Sequence, residues 1–291
     1  MYPSRFNYEA PTSIEDAIAL LSASNGSAKV LAGGQSLIPM MKLRFATPAT
    51  LVDINNIAGL GDHGPESDGS YRIGALVRHA DLEKSATLPE HQPLVASAAH
   101  LVADPIVRTR GTFVGSVCHA DPQGDWASVM VALGGSIVAQ GPGGMRTVQV
   151  KDFVSGPFQT VLAHNEIAVH AVIPPAQGTR AGGYLKLERR VGDFATAGVA
   201  LALDMSGSTV RNAGIGLTGV GSQTIDASEA AAALVGSGLE PEAVETAARL
   251  AAEAASPRSD HRGSADYKRH IIATFVKRLA AKAQQEEMQV A

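Results

Sequence analysis

The segment that decides the fold runs Val30-Leu31-Ala32-Gly33-Gly34-Gln35-Ser36-Leu37. A short apolar run over residues 29–31 predicts a buried strand that stops at two adjacent glycines, and an apolar run restarts at Leu37. Because glycine has no Cβ atom, backbone amides in this turn can approach a ligand closely and form a nest for an anion such as phosphate. The Ser36 hydroxyl and the positive end of a helix beginning near Leu37 would strengthen such a site. The segment is therefore either a cradle for the diphosphate of a nucleotide cofactor or a tight strand–turn–helix connection without a ligand.

The residues around this segment predict a small α/β lobe. Thr12 and Glu15 form a capping box for a helix whose apolar face runs from Ile14 to Leu21. A second short strand is predicted over residues 50–54. Gly, Asp, Ser and Pro dominate residues 59–70, which predicts a linker after a first lobe of residues 1–57.

A second lobe is predicted over residues 58–176. Its helices are expected at residues 80–84, 93–101 and 126–133. Its strands are expected at residues 71–74, 112–117 and 166–173, with a hairpin that joins residues 136–139 to residues 146–150.

The chain after Pro175 has a different pattern. Residues 184–190 predict a strand, and the alternation from Val199 to Met205, followed by a Ser-Gly-Ser turn, predicts an antiparallel hairpin. Three helices are expected after it, the second beginning at Pro241 and the third capped by Ser264. We therefore expect an α+β fold in which residues 177–291 form a small antiparallel sheet with helices.

Composition excludes several functional classes. The chain has 291 residues, 45% of them hydrophobic and 18% charged, with a net charge of −4 and 4% aromatic residues, which gives no basic or base-stacking face for nucleic acid. A single cysteine, Cys118, excludes an internal disulfide and an iron–sulfur cluster held by this chain alone, and it is typical of a reducing cytoplasm. Neither a signal peptide nor a transmembrane run is expected.

Two apparent motifs are set aside. The glycines of residues 214–219 match the spacing G-x-G-x-x-G, but they lie within a predicted strand and do not open a helix, so they do not predict dinucleotide binding. Cys118, His119, Asp121 and Asp125 cluster without regular ligand spacing, which favours a solvated polar loop over a metal site.

The second lobe and the third domain carry further candidate residues. Thr112, Gly115 and Ser116 would form a second cradle, and Asp125 is either a helix cap or a partner for a ligand hydroxyl or ring N–H. A charged string from Lys186 to Asp193 predicts a solvated face, and Phe194 beside it favours a core position over a ring-stacking surface.

Three segments together resemble a known family. They are Ala32-Gly33-Gly34-Gln35-Ser36-Leu37-Ile38-Pro39 followed by Met41-Lys42-Leu43-Arg44; Gly111-Thr112-Phe113-Val114-Gly115-Ser116 followed by Ala120-Asp121-Pro122 and Asp125; and Lys186-Leu187-Glu188-Arg189-Arg190-Val191-Gly192-Asp193-Phe194-Ala195-Thr196-Ala197. In this order and spacing they are similar to the FAD-carrying medium subunits of molybdenum hydroxylases, and within that family to those of aerobic carbon monoxide dehydrogenases. The resemblance covers essentially the whole chain.

The resemblance implies a fold and a set of cofactor contacts. The fold is a two-lobed FAD-binding domain of the vanillyl-alcohol-oxidase (PCMH) type, followed by the C-terminal domain described above. The first segment would wrap the diphosphate, the second would contact diphosphate and flavin, and an aromatic ring would shield the flavin. The residues implied at the cofactor are Ala32, Gly33, Gly34, Gln35, Ser36, Leu37, Thr112, Gly115, Ser116, Asp125, Leu162, Lys186 and Phe194.

The second segment departs from the family pattern. The family usually reads Thr-Ile-Gly-Gly there, whereas this chain has Phe113 and Val114 in place of Ile and the first Gly. Because a β-branched residue does not easily adopt positive φ, we expect either a rebuilt loop or a shifted cofactor.

The resemblance also implies a function. The chain would be an oxidoreductase subunit that takes electrons from the iron–sulfur clusters of a small [2Fe–2S] subunit and passes them to quinone, NAD or oxygen, while a large subunit with the molybdenum cofactor oxidises carbon monoxide, a purine or an N-heterocycle. A dimer of such heterotrimers is expected in the cytoplasm, with contact to the membrane only through partners. The alternatives are a stand-alone FAD oxidase and an assembly subunit that has lost flavin through Val114.

Overall fold

The computed structural model of the chain describes residues 2–290, and side chains within residues 2–285. The first part of the chain forms a parallel sheet of three strands in the order β1-β3-β2. Its elements are β1 (Asn7–Glu9), α1 (Ile14–Ala23), β2 (Ala28–Leu31), α2 (Leu37–Lys42) and β3 (Thr50–Asp53). The predicted strand, glycine turn and helix beginning at Leu37 are confirmed, and so is the second strand.

The cap of α1 differs by one residue from the prediction. Ser13, not Thr12, is the N-cap: its backbone is extended and its hydroxyl accepts a hydrogen bond from the Asp16 amide at 3.1 Å. The Ser13 hydroxyl donates in turn to the Asp16 carboxylate at 2.6 Å, so both capping positions lie one residue later than expected. The buried face of α1 is confirmed at Ala17, Ile18 and Leu21.

The middle of the chain forms an antiparallel sheet of five strands in the order β4-β5-β10-β6-β7, with β8 and β9 paired separately. Its strands are β4 (His63–Pro65), β5 (Tyr71–Gly74), β6 (Ser136–Gly141), β7 (Gly144–Gln149), β8 (Val154–Gly156), β9 (Gln159–Thr160) and β10 (Ile167–Ile173). Its helices are α3 (His79–Lys84), α4 (Leu88–His91), α5 (Pro93–Ala99), α6 (Pro105–Arg108), α7 (Phe113–His119), α8 (Asp125–Ala132) and α9 (Val150–Phe153).

One prediction for this part of the chain is wrong, and another is incomplete. Residues 112–117 are not a strand: Thr112 caps helix α7, and Phe113, Val114 and Val117 place their side chains in the core at helical spacing. The linker over residues 59–70 contains strand β4, which pairs with β5 at the edge of the sheet. Pairing at a sheet edge uses backbone groups, so it does not require apolar side chains. The polar sequence of residues 59–70 therefore gave no indication of a strand.

The last part of the chain forms an antiparallel sheet in the order β11-β12-β13-β14. Its elements are β11 (Thr179–Leu187), β12 (Ala197–Ser206), β13 (Thr209–Thr218), β14 (Ile225–Asp226), α10 (Ser228–Ala232), α11 (Pro241–Ala254) and α12 (Ala265–Val290). The predicted hairpin and the helix beginning at Pro241 are confirmed. The Ser264 cap is confirmed too, because Ser264 Oγ accepts a hydrogen bond from the Tyr267 amide at 3.1 Å. The strand predicted over residues 184–190 begins earlier and ends at Leu187.

Helix α8 lies directly on the backbone of β13. A Cβ atom on Gly214 would be 1.9 Å from the Ala132 carbonyl oxygen, and one on Gly216 would be 2.0 Å from the Ser128 carbonyl oxygen. The two glycines thus allow α8 to pack closely on β13, and they lie within a strand and do not open a helix as a dinucleotide fingerprint would.

The described residues include no helix with the length and hydrophobicity that a membrane crossing needs.

Candidate functional site

A cavity of about 600 Å³ opens where β2 and β3 end. These two strands are parallel neighbours, so the loops that follow them meet at one edge of the sheet. The cavity is lined by Leu31, Ala32, Gly33, Gly34, Gln35, Ile38, Pro39, Lys42, Asp53, Asn55 and Arg110. Four of the residues predicted in the first segment, Ala32 to Gln35, are therefore together in one cavity.

The loop between β2 and α2 presents unused hydrogen-bond donors. Among the residues that the structure describes, none accepts a hydrogen bond from the backbone amides of residues 33–37. Gly34 has φ +74°, the left-handed conformation that turns successive amides toward one side. Ser36 occupies the N-cap position of α2, yet its hydroxyl makes no capping hydrogen bond. These donors are free to bind an anion.

Gly33 is the point at which the first segment contacts the second. A Cβ atom at Gly33 would lie 2.3 Å from the Arg110 carbonyl oxygen and 2.8 Å from the Gly111 Cα atom. Both neighbours are backbone atoms, so the glycine is required for the two loops to touch. The sequence predicted close approach to a ligand here, and the structure shows close approach to the other loop.

The second segment forms the N-terminus of helix α7. The Thr112 hydroxyl is buried and accepts from the Gly115 amide at 3.2 Å, and a Cβ on Gly115 would lie 2.5 Å from that hydroxyl. Thr112 and Gly115 therefore form the cap of α7, while Ser116 is half-buried one turn later. A rebuilt loop at Val114 is not found: Val114 is helical, its φ is not positive and its side chain is 2% exposed.

Several residues of the site were missed by sequence reasoning. Lys42 and Arg110 place two cationic side chains at the cavity, and Asn55 and Arg78 connect its two sides by hydrogen bonds. Lys42 lies within the first recognised segment and Arg110 immediately precedes the second, so their positions in the sequence could have identified both residues. Asn55 and Arg78 carried no such signal, because their partners lie 23 and 32 residues away along the chain.

Asp53 contributes a negative charge to the same cavity. Partial burial acts to raise the pKa of Asp53, but hydrogen bonds from the Tyr8 hydroxyl and from Asn55 outweigh it, so the pKa lies below its ordinary value. The carboxylate is thus ionised and held at the end of β3, with Arg110 near enough to favour the charge. Two cationic side chains, Lys42 and Arg110, and one anionic side chain, Asp53, line the cavity, which leaves its lining net positive.

Asp125 and Lys186 form a buried network of their own. The Asp125 carboxylate accepts from the Tyr184 hydroxyl at 2.6 Å and from Lys186 Nζ at 3.4 Å, and burial raises the pKa of Asp125. Lys186 Nζ also donates to the carbonyl oxygens of Leu101 at 2.6 Å and Asp193 at 3.1 Å. Asp125 is the first residue of α8 and not its N-cap, which is Gly124. These side chains tie α8 to β11 and are not among those that line the cavity.

The remaining predicted residues lie on other surfaces. Phe194 is 53% exposed, so the expected core position is wrong, and its carbonyl oxygen accepts from Arg262 at 3.2 Å. Leu162 follows β9 and is half-buried, packed against buried hydrophobic side chains. The Cys118 thiol has its pKa raised to about 12 by burial, which opposes thiolate chemistry. The described residues contain no group of three His, Cys, Asp or Glu side chains arranged for a metal ion.

Comparison with known proteins gives consistent matches over the whole chain. Residues 4–176 match the family described as the FAD binding domain in molybdopterin dehydrogenase, and residues 183–283 match the CO dehydrogenase flavoprotein C-terminal domain. The chain is 43% identical over 280 residues to the carbon monoxide dehydrogenase medium chain of Hydrogenophaga pseudoflava, covering 96% of each chain. It is 37% identical to the nicotine 6-hydroxylase medium subunit of Paenarthrobacter nicotinovorans, covering 95% of this chain and 96% of the other.

Solved structures agree. A chain in the structure of carbon monoxide dehydrogenase from Hydrogenophaga pseudoflava superposes with a TM-score of 0.92 at 42% identity, covering 97% of this chain and 98% of that one. A chain of the reconstituted CO dehydrogenase from Oligotropha carboxidovorans gives a TM-score of 0.94 at 37% identity, covering 98% of this chain and 99% of the other.

Proposed function

The chain belongs to the family of FAD-binding medium subunits of molybdenum-dependent dehydrogenases, and we propose that it is the FAD-carrying electron-transfer subunit of a carbon monoxide dehydrogenase. The observation that carries the proposal is the cradle at the end of β2. The backbone amides of residues 33–37 are unpaired within the described chain, and residues 33–35 of this loop line a cavity bordered by Lys42 and Arg110.

The cradle fits the chemistry of FAD. A diphosphate carries negative charge on several oxygens, and unpaired amides together with cationic side chains are the donors such a group needs. A volume of about 600 Å³ lies within the usual range of cofactor pockets. The Val114 amide, at the start of α7, donates to no acceptor among the described residues and adds one more donor from the second segment.

The residues of this chain would hold and orient the cofactor. FAD, when bound, supplies the capacity to take up and release electrons, which the protein tunes by contacts and charge. We assign the amides of residues 33–37 and the Ser36 hydroxyl to the diphosphate, with Ala32 as the entry to the loop. We propose that Thr112, Gly115 and Ser116 shape the second side of the site, and we assign Phe194 and the backbone near Leu162 to the flavin. Asp125 and Lys186 support this arrangement from the buried network behind α8.

The division of the chain follows the same proposal. Residues 1–57 and 58–176 would be the two lobes that hold FAD, and residues 177–291 the C-terminal domain. The family matches at residues 4–176 and 183–283 support a division near residue 177.

The electron donor and the substrate site would reside on partner chains. One cysteine cannot hold an iron–sulfur cluster, and we propose that the clusters lie on a small subunit and the molybdenum cofactor on a large one. We propose a dimer of such heterotrimers in the cytoplasm, with any membrane contact made through partners. Structures of carbon monoxide dehydrogenase that include a chain of this fold support the partner assignment.

The experiment is an absorption spectrum of the purified chain, alone and in its native complex, with the released flavin identified by mass. We expect equimolar FAD, and reduction by carbon monoxide only when the partners are present. Reduction of the isolated chain by an alcohol would favour a stand-alone oxidase instead. A colourless protein in both preparations would favour the assembly subunit, although the helical position of Val114 removes the structural reason for a lost site.

A further inference from the structure

One side chain touches both sides of the cavity. Arg78 follows β5, at the start of α3, and its guanidinium donates through Nη1 to the Arg110 carbonyl oxygen at 2.6 Å and through Nη2 to the Asn55 side-chain oxygen. Arg110 is the residue immediately before the second segment. From the N-cap position of α3, Arg78 therefore holds the backbone at the start of that segment.

Asn55 extends this connection to the first segment. Its Nδ2 donates to the Ala32 carbonyl oxygen at 2.9 Å, at the entry to the glycine loop, and also to the Asp53 carboxylate. The side chains of Asn55 and Arg78 thus form a continuous hydrogen-bonded bridge from the backbone of the first segment to that of the second. A second, independent contact between the segments is the backbone packing at Gly33.

We propose that Arg78 and Asn55 are a positioning pair that sets the distance between the two segments, and that tight binding of the FAD diphosphate depends on it. This inference rests on the proposed function. Two loops held at a fixed separation lose less conformational freedom when a ligand joins them, so affinity depends on the bridge. A guanidinium presents its donors in a rigid planar fork, which lets one side chain hold two acceptors at once.

The bridge is distinct from a simple charge effect. Arg78 also brings a positive charge near the cavity, where burial and the neighbouring Arg110 lower its pKa from the ordinary value without neutralising it. Arg78→Lys retains the charge and loses the fork, whereas Asn55→Ala retains the charge and breaks the bridge. The backbone amide of Arg78 donates to Asp81 at 2.9 Å, and that contact survives a change of side chain.

The test measures FAD dissociation constants on the full chain. The variants are Arg78→Met, Arg78→Lys, Asn55→Ala and the double variant Asn55→Ala/Arg78→Met. The matched controls are Arg211→Met and Asn56→Ala, which change exposed residues of the same types. Thermal midpoints of the FAD-free proteins identify any variant that has merely lost stability, and titrations at low and high salt separate charge from geometry.

We expect each of the three single variants to raise the FAD dissociation constant about tenfold. The double variant should have the same dissociation constant as Arg78→Met, because each change breaks the same bridge. The loss should persist at high salt. Wild-type affinity in Arg78→Lys and Asn55→Ala, or additive losses in the double variant, would overturn the inference while leaving FAD binding intact. Failure of the unmodified chain and its complex to bind FAD would instead refute the proposed function, and the inference with it.

Discussion

Gly33 offers the sharpest test of how the cavity is built. In Gly33→Ala the new Cβ atom would lie 2.3 Å from the Arg110 carbonyl oxygen and 2.8 Å from the Gly111 Cα atom. Both neighbours belong to backbone, so the relief must come from separating the two segments by about 1 Å. Overpacking of this kind typically costs about 1–3 kcal/mol.

The cost should divide between stability and affinity. The loops of the FAD-free variant can separate and so relieve the strain, and FAD binding would then have to bring them together again. In that case the cost of about 1–3 kcal/mol is lost from the binding free energy, and the FAD dissociation constant rises by about 5- to 160-fold. If the loops stay together, the same energy lowers the free energy of unfolding. Fluorescence titration of FAD-free protein and chemical denaturation measure the two parts.

Gly61→Ala is the matched control, because a Cβ there meets no atom within 4 Å and its φ is not positive. We expect that variant to bind FAD as the unmodified chain does. The reasoning is refuted if Gly33→Ala retains both the affinity and the unfolding free energy of the unmodified chain.

Three further predictions follow from single positions. Ser36→Ala should weaken FAD binding by about 1.5–3 kcal/mol, since one hydrogen bond to a charged phosphate oxygen is lost. A titration checks it, and an unchanged affinity would show that the hydroxyl does not contribute to binding. Val114→Gly, which restores the usual family residue, should lower the unfolding free energy by about 2–4 kcal/mol because a buried helical side chain is removed; calorimetry that finds it stabilised would contradict the helical assignment. Burial lowers the pKa of His79 to about 4, below the unfolded value of 6.5, so the unfolded chain binds the proton first and stability is lost as pH falls from about 6.5 to about 4. The Gln side chain in His79→Gln can still accept a hydrogen bond from the Trp126 indole, so this variant tests the titration of His79 alone. Its denaturation midpoint should depend less on pH between about 6.5 and about 4 than that of the unmodified chain. An equal dependence on pH in both proteins would exclude His79 as the cause.

The sequence by itself determined the features that depend on near neighbours. Two adjacent glycines after an apolar run predicted a turn, and the turn, its flanking strand and its helix are found at residues 28–42. Alternation at residues 199–205 predicted a hairpin for the same reason, since side-chain period and turn residues are local properties. The order of the three recognised segments predicted the family that the whole-chain comparisons show.

Only the tertiary structure decided what depends on distant partners. Residues 112–117 have strand-like composition, but the Thr112 cap and the buried face formed by Phe113, Val114 and Val117 select a helix, because burial of these side chains outweighs local β preference. The Asp125 carboxylate similarly accepts a hydrogen bond from Tyr184, 59 residues away in the sequence.

The cavity itself is of this second kind. Asn55 and Arg78 reach the two glycine segments across 23 and 32 residues, and no local pattern marks either side chain. The glycine turn is encoded in adjacent residues and was readable from them. The spacing between that turn and the second segment is set by hydrogen bonds and backbone contacts that exist only after the chain has folded.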